Sequence, residues 1–107
     1  MNSNYQTSSA DLRITLILNS DEYSSIIREI IEYAVDLIRE KYGFKVLYKR
    51  VIDSNIEFPL LLINEFEPIV FTEIPSLDSI VKLLFVCLKT RIDETIGSSN
   101  LDNTVSI

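Results

Sequence analysis

The stretch FPLLLINEFEPIVFTEIPS, residues 58–76, decides the fold because it predicts two strands, a tight turn and the start of a helix. Leu60–Ile63 is a short, wholly apolar run, and residues 68–74 form a second run rich in Ile, Val, Phe and Thr. Residues 64–67 between these runs suit a hairpin turn. Pro59 has no N–H for a sheet ladder, so we expect it before the strand or at its first residue.

The residues upstream of this stretch predict a strand, a long helix and a second strand. Residues 12–18, LRITLIL, are nearly continuously apolar, which is typical of a central strand covered on both faces. Apolar residues at spacings of three and four over 23–42 predict an amphipathic helix of about six turns, and Gly43 suits its C-terminal cap. Residues 44–52, FKVLYKRVI, carry cations that suit an edge strand. Two strands joined by one helix form a parallel βαβ unit.

A last helix is predicted after Ser76 and extends to Ile92. Its middle, LLFVCL at residues 83–88, is apolar nearly all round, whereas a helix over a sheet needs only one apolar stripe. The other side therefore predicts an interface, most simply that of a homodimer. The interface candidates are Leu84, Phe85, Val86 and Leu88. Residues 1–11 and 97–107 are polar and predict flexible tails around one domain over 12–96.

Composition excludes several classes of function. Ten Lys and Arg against sixteen Asp and Glu give a formal charge of -6, which argues against a nucleic-acid partner. A lone cysteine, Cys87, excludes an internal disulfide, a CxxC pair and a cysteine-based zinc site, and its apolar neighbours predict that it is buried. Histidine is absent, so neither a metal nor a cofactor is expected. Without a membrane-spanning run or a signal-peptide pattern, we expect a soluble, cytoplasmic protein.

The order of these elements is similar to the minimal thioredoxin-like fold of thioredoxins and glutaredoxins, over residues 12–92. Phe58 and Pro59 before LLLIN resemble the site where that family has a cis-proline ahead of its third strand. The run IPSLDSIVKLL resembles the family's entry from the fourth strand into the last helix. The resemblance implies an α/β fold of order β-α-β-β-β-α, with a four-stranded mixed sheet and helices packed on it. It also implies a peptide-binding groove beside Pro59, although the proline could serve only to shape the strand entry.

The chain departs from that family where the CxxC motif would stand. A glutaredoxin-like register places Glu22, Tyr23, Ser24 and Ser25 there, and neither cysteine is present. Disulfide exchange needs a thiolate, so the departure argues against redox activity. The two serines at a helix N-terminus could instead hold an anion, but the charges of Glu22 and Asp21 oppose one.

Three hypotheses about function follow from the sequence. The leading one is a redox-inactive thioredoxin-like binding or assembly module that forms a homodimer or takes a protein or peptide partner. An alternative is an enzyme on the same scaffold that binds glutathione or an anion at residues 22–25. A third is a ferredoxin-like βαββαβ domain for ligand sensing or oligomerisation, which would need a last strand near residues 104–107.

Overall fold

A computed structural model describes residues 10–90, which form one four-stranded mixed sheet and two helices. The elements are β1 (Leu12–Leu18), α1 (Glu22–Glu40), β2 (Val46–Ile52), β3 (Leu60–Ile63), β4 (Ile69–Val70) and α2, described over 77–90. The strand order is β2-β1-β3-β4, in which β1 runs parallel to β2 and antiparallel to β3. The predicted α/β class with helices packed on a mixed sheet is confirmed, as is the edge position of β2.

Strand β4 is much shorter than the predicted run of 68–74. It pairs with β3 through Ile69 and Val70 only. One more hydrogen bond follows, from the Phe71 N–H to the Pro59 carbonyl at 3.0 Å. Pro59 has no N–H to donate back to Phe71, so the hydrogen-bond ladder between β3 and β4 ends at this pair. The chain then turns toward α2.

Both helices lie on one face of the sheet. The even-numbered residues of β1 are all buried, and they share one core cluster with residues of α1 and α2. The members from the two helices are Ile27, Ile31, Ala34, Val35, Ile38, Ile80, Leu84, Cys87 and Leu88. The prediction that β1 is covered on both faces is wrong, because its odd-numbered residues Arg13, Thr15 and Ile17 are exposed or half-buried. The connection from β2 to β3 contains no helix that could cover them.

Caps at the helix ends fix where each helix begins and stops. Asp21 Oδ1 accepts the Ser24 N–H at 2.7 Å at the start of α1. Gly43 has a φ of 76°, and its N–H donates to the Arg39 carbonyl at 3.1 Å, so the predicted glycine cap is confirmed. Ser76 Oγ accepts the N–H three residues further on at 3.1 Å, which confirms the predicted cap of α2.

Two residues of the predicted N-terminal tail, Ala10 and Asp11, contact the described domain. Ala10 is buried, and the Asp11 N–H donates to the Lys45 carbonyl at 2.8 Å. The Lys45 N–H in turn donates to the Asp11 carboxylate at 2.8 Å. The rest of the predicted N-terminal tail and the whole predicted C-terminal tail lie outside the described residues.

The sheet differs from the one that a ferredoxin-like domain would need. In that fold the βαβ unit is split, so another strand lies between the two strands that the helix connects. Here β1 and β2 are direct neighbours along their full length, paired from Leu12↔Val46 to Leu18↔Ile52. The last strand of the ferredoxin-like hypothesis, at residues 104–107, lies outside the described part of the chain.

Candidate functional site

Asn19, at the end of β1, holds together the end of the sheet where the thioredoxin-like resemblance places a site. Its side-chain N–H groups donate to the carbonyls of Ile56 at 3.1 Å and Glu57 at 3.5 Å. Its Oδ1 accepts from the Asp21 N–H at 2.9 Å and from the Ser24 hydroxyl at 2.8 Å. One side chain therefore fastens the loop before β3 to the first turn of α1.

Phe58, the residue before Pro59, lies beside that first turn. The rings of Phe58 and Tyr23 meet edge to face with centroids 6.4 Å apart. The Tyr23 hydroxyl donates to the Phe71 carbonyl at 3.0 Å, and desolvation, with the charges of nearby carboxylates, raises the pKa of this phenol. The predicted cis-proline is wrong, because no peptide bond among residues 10–90 is cis. Pro59 is fully buried, in agreement with a role in shaping the strand entry.

The hydroxyl groups of residues 23–25 are already engaged within the fold. Ser24 is buried, its hydroxyl donates to Asn19 and its N–H donates to Asp21. The half-buried Ser25 hydroxyl accepts from Arg28 at 3.4 Å, and Glu22 is exposed. A serine hydroxyl needs a neighbouring base to act as a nucleophile. The Ser24 hydroxyl instead donates to the side-chain amide of Asn19, which is neutral. This arrangement gives the turn a structural role.

A second polar cluster joins α1 to the edge strand β2. Glu32 accepts the Tyr48 hydroxyl at 2.7 Å and pairs with Arg50 at 3.4 Å and Arg28 at 3.3 Å. Desolvation raises the pKa of the Tyr48 phenol strongly, and the hydrogen bond and charge of Glu32 raise it further. The phenol is thus held neutral, and the cluster ties the helix to the sheet along an open groove.

Cys87 behaves as the small buried hydrophobe that the sequence predicts. It is only 6% exposed, and burial raises the pKa of its thiol. We expect native protein at pH 7.5 to react with an alkylating maleimide far more slowly than protein unfolded in guanidinium chloride, because the thiolate is the reactive form. Mass spectrometry of timed samples measures both rates. Equal rates in the two states would contradict the burial of this thiol.

The predicted interface residues of α2 are mostly part of the monomer's own core. Leu84 and Leu88 are buried, and Phe85 packs against the rings of Tyr42 and Phe44 with centroids 4.9 and 6.4 Å away. Only Val86, at 60% exposed, presents a large apolar surface to solvent. The apolar character of residues 83–88 is therefore largely satisfied by contacts within the domain.

The side of the sheet opposite the helices is a surface that sequence reasoning missed. We call it the open face, and the register of the four strands places nine side chains on it: Arg13, Thr15, Ile17, Leu47, Lys49, Val51, Leu60, Leu62 and Val70. Leu47, Val51 and Val70 are 43%, 38% and 50% exposed, and the other apolar members are half-buried. The lack of a helical pattern between β2 and β3 was the signal that could have revealed it.

Comparison with known proteins adds no information about these surfaces. No protein family, curated protein or solved structure matches the chain. Within residues 10–90, no helix is both long and apolar enough to cross a membrane. The same residues contain no group of three or more cysteine and carboxylate side chains placed to hold a metal ion.

Proposed function

We propose that this chain is a redox-inactive, thioredoxin-like assembly module that forms a homodimer through its open face. The observation that carries the proposal is the apolar surface on four adjacent strands, which no helix or strand among residues 10–90 covers. Six of its nine side chains are apolar, and its only charged members are Arg13 and Lys49. Apolar patches of this kind mark interaction sites in soluble proteins.

A second copy fits this surface because two flat sheet faces can stack about 10 Å apart with their side chains interdigitated. The four strands have seven, seven, four and two residues and cover about 300 Å² at ordinary strand spacing and rise. A standard interface uses roughly 800 Å² per partner. The open face alone therefore favours a weak dimer that forms as protein concentration rises.

The element order and the mixed sheet support the thioredoxin-like part of the proposal. The peptide bond before Pro59 is trans, which argues against a peptide-binding groove of the thioredoxin type beside this proline. The proposed function therefore includes no such groove. Redox inactivity rests on Glu22 and Ser25 at the two cysteine positions of the family's motif and on the burial of Cys87. Reduction of a model disulfide by the purified protein, above the rate of buffer, would contradict this part.

The dimer is tested by sedimentation equilibrium of the wild type and two variants up to millimolar concentration. We expect the average mass of the wild type to rise toward that of a dimer. Leu62→Glu places a charge in the centre of the open face and should keep the protein monomeric, because the carboxylate would have to be buried. Val86→Glu makes the same kind of change on α2 and should leave association unchanged.

Two outcomes would overturn the dimer proposal. One is a monomeric wild type across the whole concentration range. The other is loss of association in Val86→Glu while Leu62→Glu still associates, which would move the interface to α2. Circular dichroism of both variants verifies that each retains the fold.

A further inference from the structure

Strand β2 forms one edge of the sheet and pairs only with β1 within the described part of the chain. The Asp53 N–H just beyond it donates inward to the Leu18 carbonyl at 2.7 Å. The Val46 carbonyl points the other way, since it accepts from the Arg39 guanidinium at 2.8 and 3.1 Å. Backbone direction alternates along a strand, so the N–H and C=O groups of Tyr48, Arg50 and Ile52 face outward.

The opposite edge of the sheet is short and follows a proline, whereas β2 is long and carries cations. Strand β4 has two residues, and Pro68 just before it occupies an outward-facing position without an N–H to donate. Strand β2 has seven residues and no proline. The exposed fractions of Leu47, Val51 and Ile52 are 43%, 38% and 60%. The sheet therefore offers one edge that is long enough to pair with a further strand.

The charge of this edge is opposite to that of the whole protein. Residues 44–52 contain three cations and no carboxylate, whereas the chain has a formal charge of -6. The carboxylates that face β2 from α1 are Glu32 and Asp36. Each is already paired with arginine, Glu32 with Arg28 and Arg50, and Asp36 with Arg39 at 3.8 Å. A strand added at β2 would thus meet the positive charge of Lys49, which neither of these carboxylates pairs with.

A second copy of this chain is a poor partner for the edge. Antiparallel pairing of all seven residues of β2 with a second copy of β2 places Lys49 opposite Lys49. Like charges directly opposite each other on paired strands are destabilising. The same charges favour a carboxylate beside Lys49 in a different strand.

We propose that β2 binds an extended, acidic segment of another protein, which adds to the sheet as a fifth strand. Main-chain hydrogen bonds to Tyr48, Arg50 and Ile52 supply the affinity, and the cations beside them select the acidic sequence. The backbone groups of this site lie at the edge of the sheet and are not part of the proposed dimer surface, although the side chains of Leu47, Lys49 and Val51 belong to the open face. Either proposal can therefore fail without the other.

The probe is a fluorescein-labelled nonapeptide of alternating Val and Glu, titrated with full-length protein at low micromolar concentration. Anisotropy should show saturable binding. Lys49→Glu should weaken it about five- to tenfold, since each cross-strand charge pair contributes up to about 1 kcal/mol. Lys82→Glu makes the same charge change on α2 and should alter the affinity less than about twofold, through net charge alone.

The hydrogen bonds are tested with two further versions of this peptide. One carries backbone N-methyl groups on its odd-numbered residues, and the other carries them on its even-numbered residues. One of these peptides should lose binding, since strand addition requires its N–H groups. In NMR spectra the amides of Tyr48, Arg50 and Ile52 should shift on binding the unmodified peptide. Absence of binding, equal binding of all three peptides, equal effects of Lys49→Glu and Lys82→Glu, or tighter binding of an alternating Val and Lys peptide would each overturn the proposal.

Discussion

Leu61→Ala is expected to lower the free energy of unfolding by about 2–5 kcal/mol, the usual cost of truncating a fully buried leucine. Leu61 in β3 has no exposed surface and pairs with the equally buried Leu16 of β1. Truncation removes apolar contacts and leaves a cavity beneath both helices. Leu62→Ala is the matched control on the next residue of the same strand. It faces the open face and is half-buried, so we expect it to cost under about 1 kcal/mol.

Urea unfolding followed by circular dichroism measures both variants against the wild type. If the sheet is covered on one side only, Leu61→Ala should lose much more stability than Leu62→Ala. Equal and large losses would instead show that both faces are buried in the monomer, as the apolar sequence of β1 predicts. In that case the open face would not exist, and the dimer proposal would fail with it.

Asn19→Ala is expected to destabilise the protein by about 2–4 kcal/mol, because it removes several hydrogen bonds at once. The loop at Ile56 loses its attachment to α1, and the buried Ser24 hydroxyl loses its acceptor. Leaving a buried donor without a partner costs more than removing both partners. The double variant Asn19→Ala with Ser24→Ala should therefore lose less than the two single losses added together.

Asn55→Ala supplies the control for this cycle, since Asn55 is exposed in the same loop. We expect it to change stability by no more than about 0.5 kcal/mol. Thermal and urea unfolding measure the free energy of unfolding of all four variants. Strict additivity of Asn19→Ala and Ser24→Ala, or an equally large loss in Asn55→Ala, would contradict the central position of Asn19 in this turn.

The sequence predicted the elements best where local signals were strong. The bounds of β1 and β3 match the predicted runs, because each is a short apolar block ended by turn residues. Gly43 marked the end of α1, since its left-handed conformation favours glycine. The length of β4 was overestimated, because apolar residues beyond Val70 resemble a strand even where no ladder partner remains.

The same patterns could not predict which residues are covered by other elements, or which polar groups are free to bind a ligand. An apolar residue such as Ile17 looks alike in sequence whether a helix covers its face or not. Leu84 and Leu88 looked like interface residues because their partners within the domain are distant in sequence. Ser24 looked available for an anion, since nothing in the sequence shows that Asn19 accepts its hydroxyl. Each error concerns a contact between segments that only the tertiary fold brings together.

The most direct test of the account follows backbone amide signals by NMR as protein concentration rises from micromolar to millimolar. If the chain assembles through its open face, the signals of Thr15, Ile17, Leu60 and Leu62 shift with concentration, and that of Val86 on α2 stays in place. Signals that stay fixed for all of these residues, or shifts confined to α2, would contradict assembly through the open face.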